Sequence, residues 1–203
     1  MIKCNVTVCG VIGRDASIRT NKEGKTFLVF PLRVMIPDTD GKTMPIEVDV
    51  SKDTAGKEVS KYRNGSRIEV SGTMYLKHRG DKLYFNLFIN EIRTATADAK
   101  DTVKGELVFR GKVGQHIKEK RDKKDQPYTM FSAFSTEKVE DGFEYQWVRF
   151  FCFGKEREAW LQPGVRVDAK GEISLSAYNG KLNVSCKVEE LVQYVADSSN
   201  SNQ

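Results

Sequence analysis

Three features of the sequence predict an all-β chain built as two five-stranded barrels in tandem. The first is a repeat. Gly10-Val11-Ile12-Gly13, followed by Phe27 and Phe30, recurs 101 residues on as Gly111-Lys112-Val113-Gly114, followed by Tyr128 and Phe131. Gly65, Gly72, Leu83 and Ile92 recur as Gly164, Gly171, Leu182 and Leu191, now 99 residues on. Two offsets mean two copies of one unit separated by a small net indel. The second feature is strand-like alternation within each copy, and the third is turn chemistry at short intervals.

Each element follows in chain order. Residues 4–12 alternate as a half-buried strand with Val6 and Val8 inward, and Gly10 and Gly13 mark a bulge or corner. Asn21-Lys22-Glu23-Gly24-Lys25 is a hairpin turn before a second strand, Thr26–Met35. Pro37-Asp38-Thr39-Asp40-Gly41 turns the chain into a third, Met44–Val50. Lys52–Tyr62 is polar and predicted to be helical in part. Arg67–Leu76 and Lys82–Ile92 complete the unit as strands four and five, joined through His78-Arg79-Gly80-Asp81. In the second copy Trp147–Phe153 is the third strand, and Lys155–Leu161 is predicted as the helix, stopped by Pro163-Gly164. Three strands, a short helix and two strands is the order of an OB-fold barrel. A sandwich would need about seven strands and no helix.

The repeat divides the 203 residues into a first domain at 1–94, a small polar linker at 95–104, a second domain at 105–194 and a polar, disordered tail at 195–203. No run approaches the ~18 apolar residues of a membrane helix. The start reads as a strand and not as a signal peptide, so the expected location is cytoplasmic and no membrane partner is expected. Cys4, Cys9, Cys152 and Cys186 form no C-x-x-C pair and do not map onto each other between copies. Free thiols are therefore expected, with no metal and no cofactor. Net charge is +5. Residues 1–100 hold 17 basic and 12 acidic side chains, against 16 and 16 in the remainder. A mild basic excess in the first copy is compatible with a polyanionic partner.

Gly10-Val11-Ile12-Gly13-Arg14-Asp15, Ile18-Arg19-Thr20, Gly24-Lys25 and Phe30 together resemble the opening of bacterial single-stranded DNA-binding proteins. Gln146-Trp147-Val148-Arg149-Phe150-Phe151-Cys152-Phe153-Gly154-Lys155 resembles the central strand of that family. Leu161-Gln162-Pro163-Gly164, Val167 and Gly171 resemble its turn into strand four. The resemblance implies a sequence-nonspecific binder of single-stranded DNA in replication, recombination, repair or mobile-element transfer. Bases would stack on aromatics over a basic groove, since every base offers a stacking face. The family's stacking residues match Trp147, Phe153 and Tyr178. Strand alternation puts Phe150 on the opposite, core side, and Trp160 is expected in the core. Lys112, Lys120, Arg121 and Arg149 are candidate phosphate contacts beside them.

The first copy departs from the pattern. Its third strand, Ile46-Glu47-Val48-Asp49-Val50, has two acids where an aromatic is expected, although Tyr75, Tyr84 and the basic residues Arg14, Arg19, Lys22, Lys25, Arg33, Lys77, Arg79 and Lys82 remain. Of these, Tyr75, Arg14, Arg19, Lys25, Arg33, Lys77 and Arg79 are carried as candidate contacts. The aromatic signal thus favours the second copy and the charge signal the first. The acidic tip with which the family recruits partners is not expected here, because Asn200-Ser201-Asn202-Gln203 does not match it. The resemblance further implies a homodimer with four barrels. The chain is not expected to be an enzyme, since its carboxylates are unclustered and His78 and His116 read as isolated loop residues. The alternative function is an interaction accessory for replication restart or conjugation that binds DNA weakly. RNA is a further candidate partner, because stacking grooves distinguish the two polymers poorly.

Overall fold

The structure is a computed structural model that describes residues 2–39, 41–54, 58–80, 82–140 and 142–195. Alternating apolar residues build six strands in the first copy: β1 (Ile2–Ile12), β2 (Ser17–Thr20), β3 (Thr26–Pro37), β4 (Thr43–Asp53), β5 (Arg67–Arg79) and β6 (Lys82–Thr94). Five follow in the second: β7 (Thr102–Arg121), β8 (Pro127–Val139), β9 (Gly142–Phe153), β10 (Arg166–Tyr178) and β11 (Lys181–Gln193). The strands join in the order β10-β11-β9-β8-β7-β1-β5-β6-β4-β3-β2, and two further pairings, β1–β3 and β7–β10, each close a five-stranded barrel. In each barrel one pairing is parallel, β4–β6 and β9–β11, and the others are antiparallel. This is the tandem OB-type architecture expected from the sequence.

The inward set fills each barrel. Cys4, Val6 and Val8 of β1 are buried, as are Ile46, Val48 and Val50 of β4 and Val148 and Phe150 of β9. Phe150 packs between Phe109 (4.9 Å) and Phe131 (5.1 Å). The same irregularity recurs in both copies. The β5–β6 register shifts at Ser71/Gly72 and the β10–β11 register at Lys170/Gly171. A Cβ at Gly72 would collide with the Phe88 carbonyl oxygen, and one at Gly171 with that of Lys187. Only glycine allows the partner strand so close.

The two barrels are not beads on a string. β7 opens at Thr102, so the last residues of the expected linker already pair with β1. In that antiparallel seam Asn5 faces Glu106, its own equivalent 101 residues on. A pseudo-twofold axis therefore passes through this pair. Asp101 fixes the approach: its carboxylate accepts hydrogen bonds from the Met35 N–H (2.8 Å) and from Arg67. The hairpins also reach across. Gly80, at the β5–β6 tip, donates its N–H to Glu144 Oε1 (3.1 Å), and Asp38 bridges Ala177 beside the β10–β11 tip.

The expected helices are absent among the described residues. Between β4 and β5 there is a single 3-10 turn at Val59–Lys61, and between β9 and β10 no helix at all. Seven residues are too few to offset helix nucleation. Arg157 holds the second segment in another shape, donating to the Leu161 carbonyl (2.9 Å) and to Gln162 Oε1 (2.7 Å), while Leu161 is buried in the core. Trp160 packs partly buried against that core from irregular chain. His78 and His116, read as loop residues, are in β5 and β7, since β5 continues to Arg79 and β7 to Arg121. The tail from 196 onward lies outside the described residues.

Candidate nucleic-acid interface

Period-two alternation in β9 sends Tyr145, Trp147, Arg149, Phe151 and Phe153 to the side opposite the buried Val148 and Phe150. The β8–β9 register sets them against outward residues of β8: Phe134 against Trp147, Ser132 against Arg149, Met130 against Phe151 and Tyr128 against Phe153. The rings touch in series, with Phe134–Tyr145 at 5.4 Å, Phe134–Trp147 at 4.8 Å, Phe151–Phe153 at 6.1 Å and Tyr128–Phe153 at 5.2 Å. Trp147, Tyr145 and Phe153 remain about half exposed (49%, 51% and 46%). From Tyr145 to Phe153 the stripe runs about 26 Å, at ~3.3 Å per residue. Open aromatic faces in such a row cannot be explained as core.

Trp147 has a defined seat. A Cβ built on Gly114 would lie 3.0 Å from its Cζ3 and 3.3 Å from its Cη2, so the indole lies over bare backbone with Phe134 beside it. Lys112 is exposed on β7 opposite Phe134, and Arg149 is exposed between Trp147 and Phe151. Neither has an ion-pair partner among the described residues. At the far end of the stripe a concavity of about 370 Å³ is lined by Lys120, Arg121, Tyr128 and Lys155, with Glu119 and Glu156 also in its wall. Arg121 is partly engaged there, donating to the Asp125 carbonyl (2.8 Å).

The same face of the first barrel has the opposite chemistry. Cross-strand pairs correspond between the copies: Arg33–Glu47 stands where Phe134–Trp147 stands, Pro31–Asp49 where Ser132–Arg149 stands, and Phe27–Asp53 where Tyr128–Phe153 stands. Two of its three acids are matched by its own cations, Arg14 to Glu47 at 3.7 Å and Lys25 to Asp53 at 2.7 Å. Arg33 lies directly opposite Glu47. Three of the candidate phosphate contacts are thus beside carboxylates, whereas Arg19 has no ion-pair partner among the described residues. Gly13, the counterpart of Gly114, has Pro31 and no aromatic ring beside it.

The remaining candidates are dispersed. Tyr178 is 58% exposed at the β10–β11 tip, where Asn179 (φ 50°) and Gly180 (φ 70°) form a two-residue hairpin turn. Tyr75 contacts Phe88 edge-on at 6.1 Å on the outer face of β5–β6, away from the β8–β9 stripe. Lys77 and Arg79 follow it along the same strand, opposite Tyr84 and Lys82. Phe134, Tyr145, Phe151 and Tyr128 belong to the stripe and were not singled out from sequence. The signal for two of them, Tyr145 and Phe151, lay in β9, where positions 143, 145, 147, 149, 151 and 153 read Phe, Tyr, Trp, Arg, Phe, Phe.

Beyond Tyr145 and Trp147 the stripe opens into a groove between the barrels. It measures about 830 Å³ and is lined by both copies, with Glu47, Asp49, Lys82 and Tyr84 on one side and Trp147, Arg149 and Lys181 on the other. The cysteines are remote from this chemistry. Burial pushes the thiols of Cys4 and Cys186 up to about 12 and that of Cys152 to about 11, with Lys155 pulling the last back. Such thiols are inert at neutral pH.

Two OB-type barrels sharing a seam, one with an open aromatic face, define the class of architecture. The chain is similar to the wild-type single-stranded DNA binding protein from Thermus aquaticus, with 11% identity, a TM-score of 0.46 and coverage of 100% of this chain and 97% of that one. It is also similar to the small single-stranded DNA-binding protein from Streptomyces coelicolor (11% identity, TM-score 0.36, 45% of this chain and 94% of that one). A third likeness is to the N-terminal domain of PriB protein from Thermoanaerobacter tencongensis (18% identity, TM-score 0.30, 45% and 97%). No protein-family model and no curated protein matches the sequence.

Proposed function

We propose that this protein binds single-stranded DNA without strict sequence preference, through the β8–β9 face of its second barrel. The observation that carries the reading is the row of half-exposed rings from Tyr145 to Phe153, interrupted by Arg149. Bases stack on Tyr145, Trp147 and Phe153 while Arg149, Lys112 and Lys120 neutralise phosphates. Tyr178, exposed on the β10–β11 hairpin, is a further stacking residue apart from that row. The role fits replication, recombination, repair or mobile-element transfer in the cytoplasm. Two chains associate to give four barrels, covering the outer face of the β5–β6 and β7–β10 sheet, where Phe88, Val108 and Val192 are exposed. Light scattering should then report about 46 kDa, twice 23.0 kDa; a clean 23.0 kDa species at micromolar concentration contradicts the dimer.

A labelled single strand, the matching duplex and an RNA of the same sequence, titrated in parallel, test the binding. Single-stranded DNA should bind more tightly than duplex, and Trp147→Ala should weaken it by about 1–3 kcal/mol. Equal affinity for duplex, or none for the single strand, removes the reading. The first barrel supports a second reading, an interaction accessory with weak DNA binding, because Glu47 and Asp53 are already matched by Arg14 and Lys25.

A further inference from the structure

The groove between the barrels has two unlike walls. On the second-copy wall Trp147 offers an open ring and Arg149 a guanidinium with no ion-pair partner among the described residues. On the first-copy wall, at the strand positions related to those two, are Glu47 and Asp49. Lys82 and Lys181, the first residues of β6 and β11, also line the groove. The Asp49 carboxylate is exposed and has no ion-pair or hydrogen-bond partner among the described residues. Glu47 is paired loosely, one oxygen being 3.7 Å from Arg14, and its side chain is exposed with Arg33 as its cross-strand neighbour. A phosphate is repelled from these acids and drawn to Arg149, Lys82 and Lys181. A strand whose phosphates lie on the cations and whose base stacks on Trp147 therefore presents a base edge to the carboxylates.

A carboxylate accepts hydrogen bonds and cannot donate them. Cytosine offers its N4 amino group and guanine offers adjacent N1–H and N2 amino donors. Thymine holds its one ring N–H between two carbonyl oxygens that the carboxylate repels. Resting on the reading that single strands bind along the β8–β9 face, we infer that the inter-barrel groove is a base-discriminating subsite. There Glu47 and Asp49 select bases that present amino groups and disfavour thymine. The first copy then contributes selectivity where the second contributes stacking, and its acids have a function rather than marking a lost site.

The probes are oligo(dC) and oligo(dT) of equal length, about 15 nucleotides, within the span one OB barrel covers. They are titrated at mildly alkaline pH, where cytosine is neutral. The wild-type protein should bind oligo(dC) about tenfold more tightly than oligo(dT), the size of one well-placed carboxylate–amino contact. In the Glu47→Gln/Asp49→Asn double variant the ratio should fall to about one, since an amide both donates and accepts. Overall affinity should rise there, because two negative charges leave the groove, so the ratio is the readout. Thymine bound as well as or better than cytosine, or a ratio unchanged in the double variant, overturns the inference and leaves the proposed function standing. Failure of both oligomers to bind removes the proposed function and the inference together.

Discussion

Gly114→Ala and Gly13→Ala are the same substitution at positions that correspond in the repeat, and the structure assigns them opposite outcomes. Neither glycine has a left-handed φ, so alanine is conformationally acceptable at both. At Gly13 the nearest atoms to a new Cβ are the Pro31 carbonyl oxygen at 3.6 Å and the Pro31 Cγ at 3.8 Å, both ordinary contacts. That variant should be neutral or gain about 0.4–1 kcal/mol from the reduced freedom of the unfolded chain. At Gly114 the Cβ would be 3.0 Å from Trp147 Cζ3 and 3.1 Å from the Ser132 carbonyl oxygen. Carbon atoms pack best at about 3.5–4.0 Å, so the indole must shift by roughly 0.5 Å or more. Overpacking of this kind costs about 1–3 kcal/mol, which in a chain of this size lowers Tm by about 2–12 °C. Thermal unfolding followed by circular dichroism, with tryptophan emission recorded in parallel, is the assay. Gly114→Ala should lower Tm, alter the emission spectrum and weaken single-strand binding, while Gly13→Ala does none of these. Identical behaviour of the two variants would refute the seating of Trp147 on Gly114.

Two further outcomes follow from the charges and thiols. Removing Lys112 and Arg149 together should flatten the slope of log affinity against log salt by about 1.4, at about 0.7 per phosphate contact. Removing Arg14 and Lys25 should flatten it less, because Glu47 and Asp53 already oppose them. Equal flattening would place the first barrel's face on the DNA path. For the thiols, burial raises the folded-state values of Cys4 and Cys186 to about 12 and of Cys152 to about 11, above the ~8.5 of a free thiol. Between these limits the unfolded chain binds fewer protons than the native one, so stability is fully present below the unfolded value and declines as pH rises through the folded ones. Chemical denaturation at rising alkaline pH should show that decline, and it should be smaller in a Cys152→Ser/Cys186→Ala variant. An equal decline in the variant would assign it to other groups.

Much of the fold was legible because it is written twice. The offsets of 101 and 99 fixed the repeat, and alternation placed the five barrel strands of the first copy to within a few residues at their ends, while in the second copy the bounds expected for β9 missed its first five residues. The helices failed because seven residues of good helix composition do not outweigh a buried Leu161 and the Arg157 hydrogen bonds, which depend on tertiary placement. The β1–β7 seam was hidden for a similar reason. Thr102-Val103-Lys104 looks like linker until β1 is beside it to pair with. In the candidate site, Trp147 and Phe153 could be picked out singly. Phe134 and Tyr128 needed the β8–β9 register to show that they share the face. The ion pairs of Arg14 and Lys25 also needed the fold, since basic residues in isolation read as free to meet phosphate.

The chain's two tryptophans give the most direct measurement of the central claim. Trp147 is 49% exposed on the β8–β9 face, whereas Trp160 is partly buried against the core on the β9–β10 connection. A base stacking on Trp147 should quench its emission and leave Trp160 nearly unchanged. Titration with single-stranded DNA should therefore quench the wild-type protein and the Trp160→Phe variant, while Trp147→Phe loses most of the signal and keeps most of its affinity, since phenylalanine still offers a stacking face. Quenching that survives Trp147→Phe and disappears in Trp160→Phe would contradict the account and move the DNA off the second barrel's aromatic stripe.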